Sequence, residues 1–303
     1  MKREEFLRVT ALMAGTSAIT GFASVAKATS DDPRMYNAAQ NIITITPQER
    51  KQRVARLQQL MLQNKMEALV LEGGTSLEYF TGISWWLSER LMAAVIPAKG
   101  EIIYICPGFE ESRFQELISI SGKVFVWQED ENPYAQVERA FTEAGIHAGK
   151  IGIEEQLRFF VFDGIRKAAP QMEYSDGGSV TIPCRMVKSA AELALMQQAS
   201  DITVAAIKSG INALKEGISP GEIADIINDA HRKMGATPDF AVVLFGEASA
   251  NPHGSIKPQR LKKGDIVLMD CGCKLEGYCS DITRTLVFGD KPTKRQRDIW
   301  DLE

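Results

Sequence analysis

Two aspartates carry the first chemical signal in this chain. Asp270 closes the apolar run Ile266-Val267-Leu268-Met269, and Asp281 follows eleven positions later in Ser280-Asp281-Ile282-Thr283-Arg284-Thr285. A carboxylate that ends a buried strand needs a partner, because an unpaired charge taken out of water is costly. The residues between the two aspartates read as a β-hairpin. With its turn centred on Leu275-Glu276, the carboxylates face each other directly, Cβ atoms about 4.5–5.5 Å apart. Like charges so placed destabilise a sheet, and a divalent cation between them turns that cost into binding. The competing reading, a pair of solvated turn residues, suits Asp270 badly. A third candidate is His253 in Asn251-Pro252-His253-Gly254, 17 positions before Asp270. Considered alone, it reads as a loop or packing residue.

The five cysteines are Cys106, Cys184, Cys271, Cys273 and Cys279. An odd count leaves at least one unpaired within the chain. Cys271, Cys273 and Cys279 lack C-x-x-C spacing and a fourth ligand at a suitable distance for zinc. Cys271 and Cys273 fall on the strand face opposite Asp270, which reads as small core residues.

The elements that must position these groups follow from periodicity and caps. The chain has 303 residues, 45% hydrophobic and 24% charged, with a net charge of −4. That is ordinary globular composition with length for about two domains. The absence of a basic run argues against nucleic acid and anionic membrane surfaces as partners. No apolar stretch after the N-terminus is long enough to span a bilayer.

Residues 1–28 read as an export signal: Lys2, Arg3 and Arg8, a small-residue apolar stretch from Val9 to Val25, then Ala26-Lys27-Ala28 as an A-x-A cleavage site. Lys2-Arg3-Glu4-Glu5-Phe6-Leu7-Arg8 also resembles a twin-arginine signal, with Lys in place of the first Arg. An exported location, periplasmic or secreted, is therefore expected by a Sec or twin-arginine-like route. Residues 29–45 read as a linker.

Residues 46–183 alternate short strands (68–71, 92–96, 102–105, 124–126, 151–153) with helices (112–118, 135–144, 160–168). A helix opens on Thr46-Pro47-Gln48-Glu49 with a capping box. This alternation predicts an α/β domain around a largely buried sheet. Trp85-Trp86 reads as a packing or subunit contact, with a substrate wall as the alternative. Ile182-Pro183 marks the boundary to residues 184–303. Capping boxes at Ser189–Glu192 and Ser219–Glu222 open two helices, the first burying Leu193, Leu195, Met196, Ile202 and Ala206. Antiparallel strands follow, and a further helix begins at Thr293.

Together these residues resemble the creatinase/aminopeptidase P family of pita-bread metallopeptidases. The resemblance rests on Asn-Pro-His-Gly (251–254), Leu-Lys-Lys-Gly-Asp-Ile-Val (261–267), Met-Asp-Cys-Gly (269–272) and Gly-Tyr-Cys-Ser-Asp-Ile-Thr-Arg-Thr (277–285), with both internal spacings kept. Tyr79-Phe80-Thr81-Gly82 resembles the family's N-terminal domain. The resemblance implies an α/β creatinase-like N-terminal domain plus an α+β pita-bread catalytic domain, of which only the first half is present. It implies a binuclear site in which Asp270 and the bridging Asp281 are metal ligands and His253 is the substrate-side histidine. Two divalent metal ions are implied. Oxygen-rich ligation suits Mn²⁺, with Zn²⁺ or Co²⁺ as alternatives, and the metals would activate water and polarise the carbonyl.

The implied activity is cleavage of Xaa–Pro bonds in proline-containing peptides, of aminopeptidase P or proline dipeptidase type, by a homodimer. The family's remaining ligands, a histidine and two glutamates, have no counterpart here, so the chain is expected to be C-terminally incomplete. The 303-residue polypeptide is expected to hydrolyse Xaa–Pro peptides no faster than its Asp281→Ala variant. Metal-dependent turnover abolished by that substitution would contradict this. The alternatives are a creatinase-like hydrolase, a lyase of the same fold acting on small molecules, or a non-enzymatic pseudo-peptidase binding module.

Overall fold

The computed structural model describes residue 42 and residues 44–302. The expected export signal and most of the expected linker lie outside the described residues. The first helix, α1 (Pro47–Gln63), starts where its cap predicts, with Thr46 Oγ1 accepting from the Glu49 amide at 3.1 Å. The capping box does not close. The Glu49 carboxylate instead takes hydrogen bonds from Arg53, one turn on, and from Ser189.

A six-stranded mixed sheet follows: β1 (Ala68–Glu72), β2 (Ala93–Pro97), β3 (Ile102–Pro107), β4 (Gly122–Trp127), β5 (Gly149–Ile153) and β6 (Met172–Asp176), in the order β4-β3-β2-β1-β5-β6. Every residue of β1, β2 and β3 is buried, as their unbroken apolar runs require of strands covered on both faces. One face packs against α1, α2 (Thr75–Thr81), α3 (Glu111–Leu117) and α6 (Gly178–Met186), through Leu57, Met61, Phe80, Phe114 and Val180. The other packs against α4 (Pro133–Glu143) and α5 (Phe159–Ala168), through Val137, Phe141, Val161 and Ile165.

Three elements differ from expectation. Helix α2 has no counterpart among the expected elements. It lacks a side-chain N-cap and is held by burying Leu77 and Phe80 and by Gly82 in the left-handed conformation. Strand β6 is polar at the sheet edge, with only Met172 buried. Helix α6 runs through Pro183, where a boundary was expected. Proline removes one amide donor from this nine-residue helix, while Val180, Thr181 and Cys184 bury its face.

The second half opens with α7 (Ala190–Asn212) and α8 (Pro220–Lys233), each with its predicted reciprocal capping box. Strands β7 (Thr237–Phe245), β8 (Ile266–Leu275), β9 (Tyr278–Cys279) and β10 (Ile282–Val287) form an antiparallel sheet, ordered β10-β8-β7 with β9 paired to β8. Its inner face carries Val267, Met269, Cys271 and Cys273 onto Leu195, Ala199, Ile202, Ile223 and Ile227. Leu193, expected inside, is 56% exposed, because two residues before Leu195 is about 200° around the helix. Ile42 and Ile45 pack onto this same core. Helix α9 (Lys294–Leu302) buries none of its residues. No helix among the described residues is long and apolar enough to cross a membrane.

Candidate metal centre

The hairpin that carries both aspartates turns on Glu276-Gly277, not on Leu275-Glu276. Both central residues have positive φ, 49° and 82°, the requirement of the tight hairpin turn that matches strand twist. Leu275 is a buried strand residue paired with Tyr278. The register therefore places Asp270 opposite Thr283. Continued through the unpaired step at residues 280 and 281, it places Asp281 opposite Gly272. The expected direct confrontation of the two aspartates is replaced by a diagonal one on the same face. Diagonal neighbours lie about 7–8 Å apart, within reach of a shared ion.

That face is the open side of the sheet, opposite the helices. Asp270 is half-buried and accepts from the Thr283 hydroxyl at 2.7 Å. Asp281 is exposed, and among the described residues it makes no hydrogen bond or ion pair. Among the described residues no lysine or arginine pairs with either carboxylate. Two unneutralised carboxylates converging on one face fit a divalent cation in charge and in hard oxygen donors. They are part of a ligand set only. Among the described residues no group of three His, Cys, Asp or Glu is placed to hold a metal, and a bound ion needs about four to eight ligands.

His253 lies on the loop after β7, where Gly254 N–H bonds the Asn251 carbonyl. It lines a cavity of about 520 Å³ with Val242, Leu244, Pro220 and Gln259. Neither aspartate lines that cavity. The link is β7: Val242 pairs with Asp270 across the sheet. The strand register thus makes Asp270 and Asp281 diagonal neighbours and sets His253 one strand away.

The cysteines sit as expected. Cys271 and Cys273 are fully buried on the inner face, and no cysteine is in a disulfide. Burial pushes the Cys271 thiol up to about 12, with the Asp270 charge adding to the rise.

Gly272 beside Asp270 permits close approach of the facing strand. A Cβ there would strike the Ser280 carbonyl oxygen and lie 2.6 Å from the Phe240 ring. Backbone cannot yield as a flexible side chain does, so Gly272→Ala should cost about 2–3 kcal/mol of folding stability, read as a lowered denaturant midpoint.

Two polar groupings escaped the sequence reading. Tyr278, in the hairpin, donates to Glu192 at 3.0 Å and accepts from Arg53 of α1 at 3.0 Å. Burial raises the Tyr278 phenol pKa well above its ordinary value, which keeps it protonated as that donor. This cluster fastens the hairpin to the N-terminal domain. Beneath the hairpin, His231 of α8 bonds Thr203 of α7 at 3.0 Å, and Thr203 bonds Ser280 at 2.7 Å, all three buried.

Burial alone holds the His231 imidazole down from 6.5 to about 4. Between those values the unfolded chain binds a proton that the folded chain refuses. Folding stability should therefore fall as pH drops from about 6.5 to about 4, by roughly 3 kcal/mol, and level off below. Denaturant midpoints across that range should show this slope, and His231→Gln should remove it.

Comparison with known proteins agrees with this architecture. Residues 53–187 match the Creatinase/Prolidase N-terminal domain, and residues 194–302 match Metallopeptidase family M24. An uncharacterised peptidase of Schizosaccharomyces pombe is 36% identical over 89% of this chain and 61% of its own length. A putative dipeptidase of Bacillus subtilis, YkvY, is 32% identical over 69% of this chain and 58% of its own. The chain thus spans about three fifths of the length of these curated relatives. The crystal structure of a prolidase from Thermococcus sibiricus superposes with a TM-score of 0.75 at 26% identity, over 83% of this chain and 69% of that one. Fold and site together define a creatinase-type N-terminal domain joined to a metallopeptidase catalytic domain. The chain belongs to metallopeptidase family M24, with a creatinase/prolidase-type N-terminal domain.

Proposed function

We propose that the protein is a metal-dependent peptidase that cleaves Xaa–Pro bonds in proline-containing peptides. The observation that carries this is the diagonal placement of Asp270 and Asp281, without a cationic partner among the described residues, on the open face of the hairpin. These two residues would hold the metal, with Thr283 fixing the Asp270 carboxylate by its hydroxyl. Two divalent cations, Mn²⁺ first, would supply an activated water and polarise the scissile carbonyl. His253, in the neighbouring cavity, would hydrogen-bond the substrate. A homodimer is supported by Trp86, 57% exposed and stacked on Trp85, and by Phe109, 60% exposed, both in the N-terminal domain. Export is supported by the charge and cleavage pattern of residues 1–28.

The test is a peptide panel on the protein at the length its source makes, stripped with a chelator and reloaded with Mn²⁺. Xaa–Pro dipeptides and Xaa–Pro tripeptides should be hydrolysed only after reloading. Turnover should exceed that of the matched Xaa–Ala peptides by about tenfold or more, a difference of ~1.4 kcal/mol. Equal turnover of the alanine peptides would contradict the proline preference. Full turnover in chelator would contradict the metal dependence.

A further inference from the structure

We infer that Ser280, Thr203 and His231 form a buried relay that positions Asp281 for metal binding. This rests on the metallopeptidase reading above.

The relay is expensive as a packing solution. Beyond the capping Glu192 at its first turn, the buried face of α7 is otherwise Leu195, Ala199, Ile202, Ala206, Ile207 and Gly210, and that of α8 is Ile223, Ile227 and Ala230. A hydroxyl and an imidazole inside such a core cost free energy unless fully bonded. Here they are not fully bonded, since His231 Nδ1 is buried with no hydrogen-bond partner. Apolar side chains of the same size would fill the space without that cost. The polar atoms therefore need a reason other than stability.

The reason lies in the strand pairing. β8 keeps one register with β9 and β10, yet the ladder lapses between Cys279 and Ile282. In that register Cys273 and Ser280 should exchange two backbone hydrogen bonds. Only one forms, Ser280 N–H to the Cys273 carbonyl at 3.0 Å. The Cys273 amide donates instead to the Ser280 side-chain oxygen, also at 3.0 Å. The Ser280 carbonyl is released and turns onto Gly272, where any Cβ would collide with it. The peptide so rotated is the one that joins Ser280 to Asp281. A side-chain oxygen replacing a backbone acceptor thus sets the direction in which Asp281 leaves the strand.

That oxygen must be held in place, and Thr203 and His231 hold it. Hydrogen-bond accounting fixes the order of donors. A buried orphan N–H is rarer than an under-used acceptor, so the unpartnered Nδ1 carries no proton and Nε2–H donates to Thr203. Thr203 then donates to Ser280, whose oxygen also accepts from Cys273, and the Ser280 hydroxyl proton turns to the Cys273 carbonyl at 3.4 Å. One line of donors runs from α8 through α7 to the residue before Asp281.

The experiment uses the native-length protein with Thr203→Val, which keeps shape and removes the hydroxyl, and Thr203→Ser, which keeps the hydroxyl. Three quantities are read: amide exchange at Cys273 in the metal-free protein, the Mn²⁺ dissociation constant, and the denaturant midpoint. Groups that orient a metal ligand are worth about 10–100-fold in affinity. Thr203→Val should accelerate Cys273 exchange, weaken Mn²⁺ binding by about tenfold or more and lower the midpoint, because it leaves the buried His231 Nε2–H without an acceptor. Thr203→Ser should retain wild-type exchange and affinity. Unchanged Mn²⁺ affinity in Thr203→Val would overturn the relay. So would a loss of affinity that tracks a lowered midpoint in both variants, because that is a structural effect alone. A wild-type protein that takes up no Mn²⁺ would overturn the metallopeptidase reading. The exchange data then decide the relay alone, with acceleration in Thr203→Val supporting it and no change overturning it.

Discussion

Asp281→Ala is expected to lower kcat/KM for Xaa–Pro peptides by about 10³-fold or more in the native-length protein, a loss of ~4 kcal/mol of transition-state stabilisation. The same substitution should leave the fold intact. Asp281 is exposed and makes no hydrogen bond or ion pair among the described residues, so its carboxylate contributes no contact to lose. Removing it relieves repulsion with Asp270 across the diagonal, and the metal-free variant should match or slightly exceed the wild type in denaturant midpoint. An essential group that is neutral or costly for folding is the signature of a functional carboxylate. Peptide hydrolysis and urea titration on the same two samples separate the effects. A variant that loses activity and stability together would place Asp281 among structural residues.

Arg53→Ala should have the largest effect on stability, about 3–5 kcal/mol. Arg53 is 7% exposed and donates to Glu49, to the Tyr79 carbonyl and to Tyr278, with its guanidinium 4.1 Å from the centre of the Tyr79 ring. Glu192, 3% exposed, stands 3.6 Å away. Truncating the arginine strands that carboxylate in the interior, where breaking a pair costs far more than the intact pair contributes. Glu192→Gln in the Arg53→Ala background should recover part of the loss, since the stranded charge is then gone. Denaturant midpoints of both single variants and the double variant measure this coupling. An Arg53→Ala midpoint equal to wild type would mean the domain junction is held by apolar packing alone.

The face of the sheet on which the aspartates sit was legible, because strand periodicity puts Asp270 opposite Cys271 and Cys273 whatever the register. The register itself was not. It turns on left-handed φ at Glu276 and Gly277, and Gly277 in Leu-Glu-Gly-Tyr was the available cue. The N-terminal sheet could be read from its apolar runs, whereas β6 is polar and α2 draws its stability from tertiary burial of Leu77 and Phe80. The helix caps at Ser189 and Ser219 were local and therefore visible. The Arg53–Tyr278 and Thr203–His231–Ser280 bonds join residues far apart in the chain. Nothing in the local pattern of a buried threonine on a helix face indicates which hydroxyl it will meet.

If the β8–β10 hairpin is part of a metal site, the Mn²⁺ content of the native-length protein after dialysis reports it. It would be measured for the wild type, Asp270→Asn and Asp281→Ala. Two Mn²⁺ per wild-type chain are expected, with bound metal lost in both variants and each variant still folded. Wild-type stoichiometry retained in Asp281→Ala, or a wild-type protein that binds no divalent metal, would contradict a metal site there.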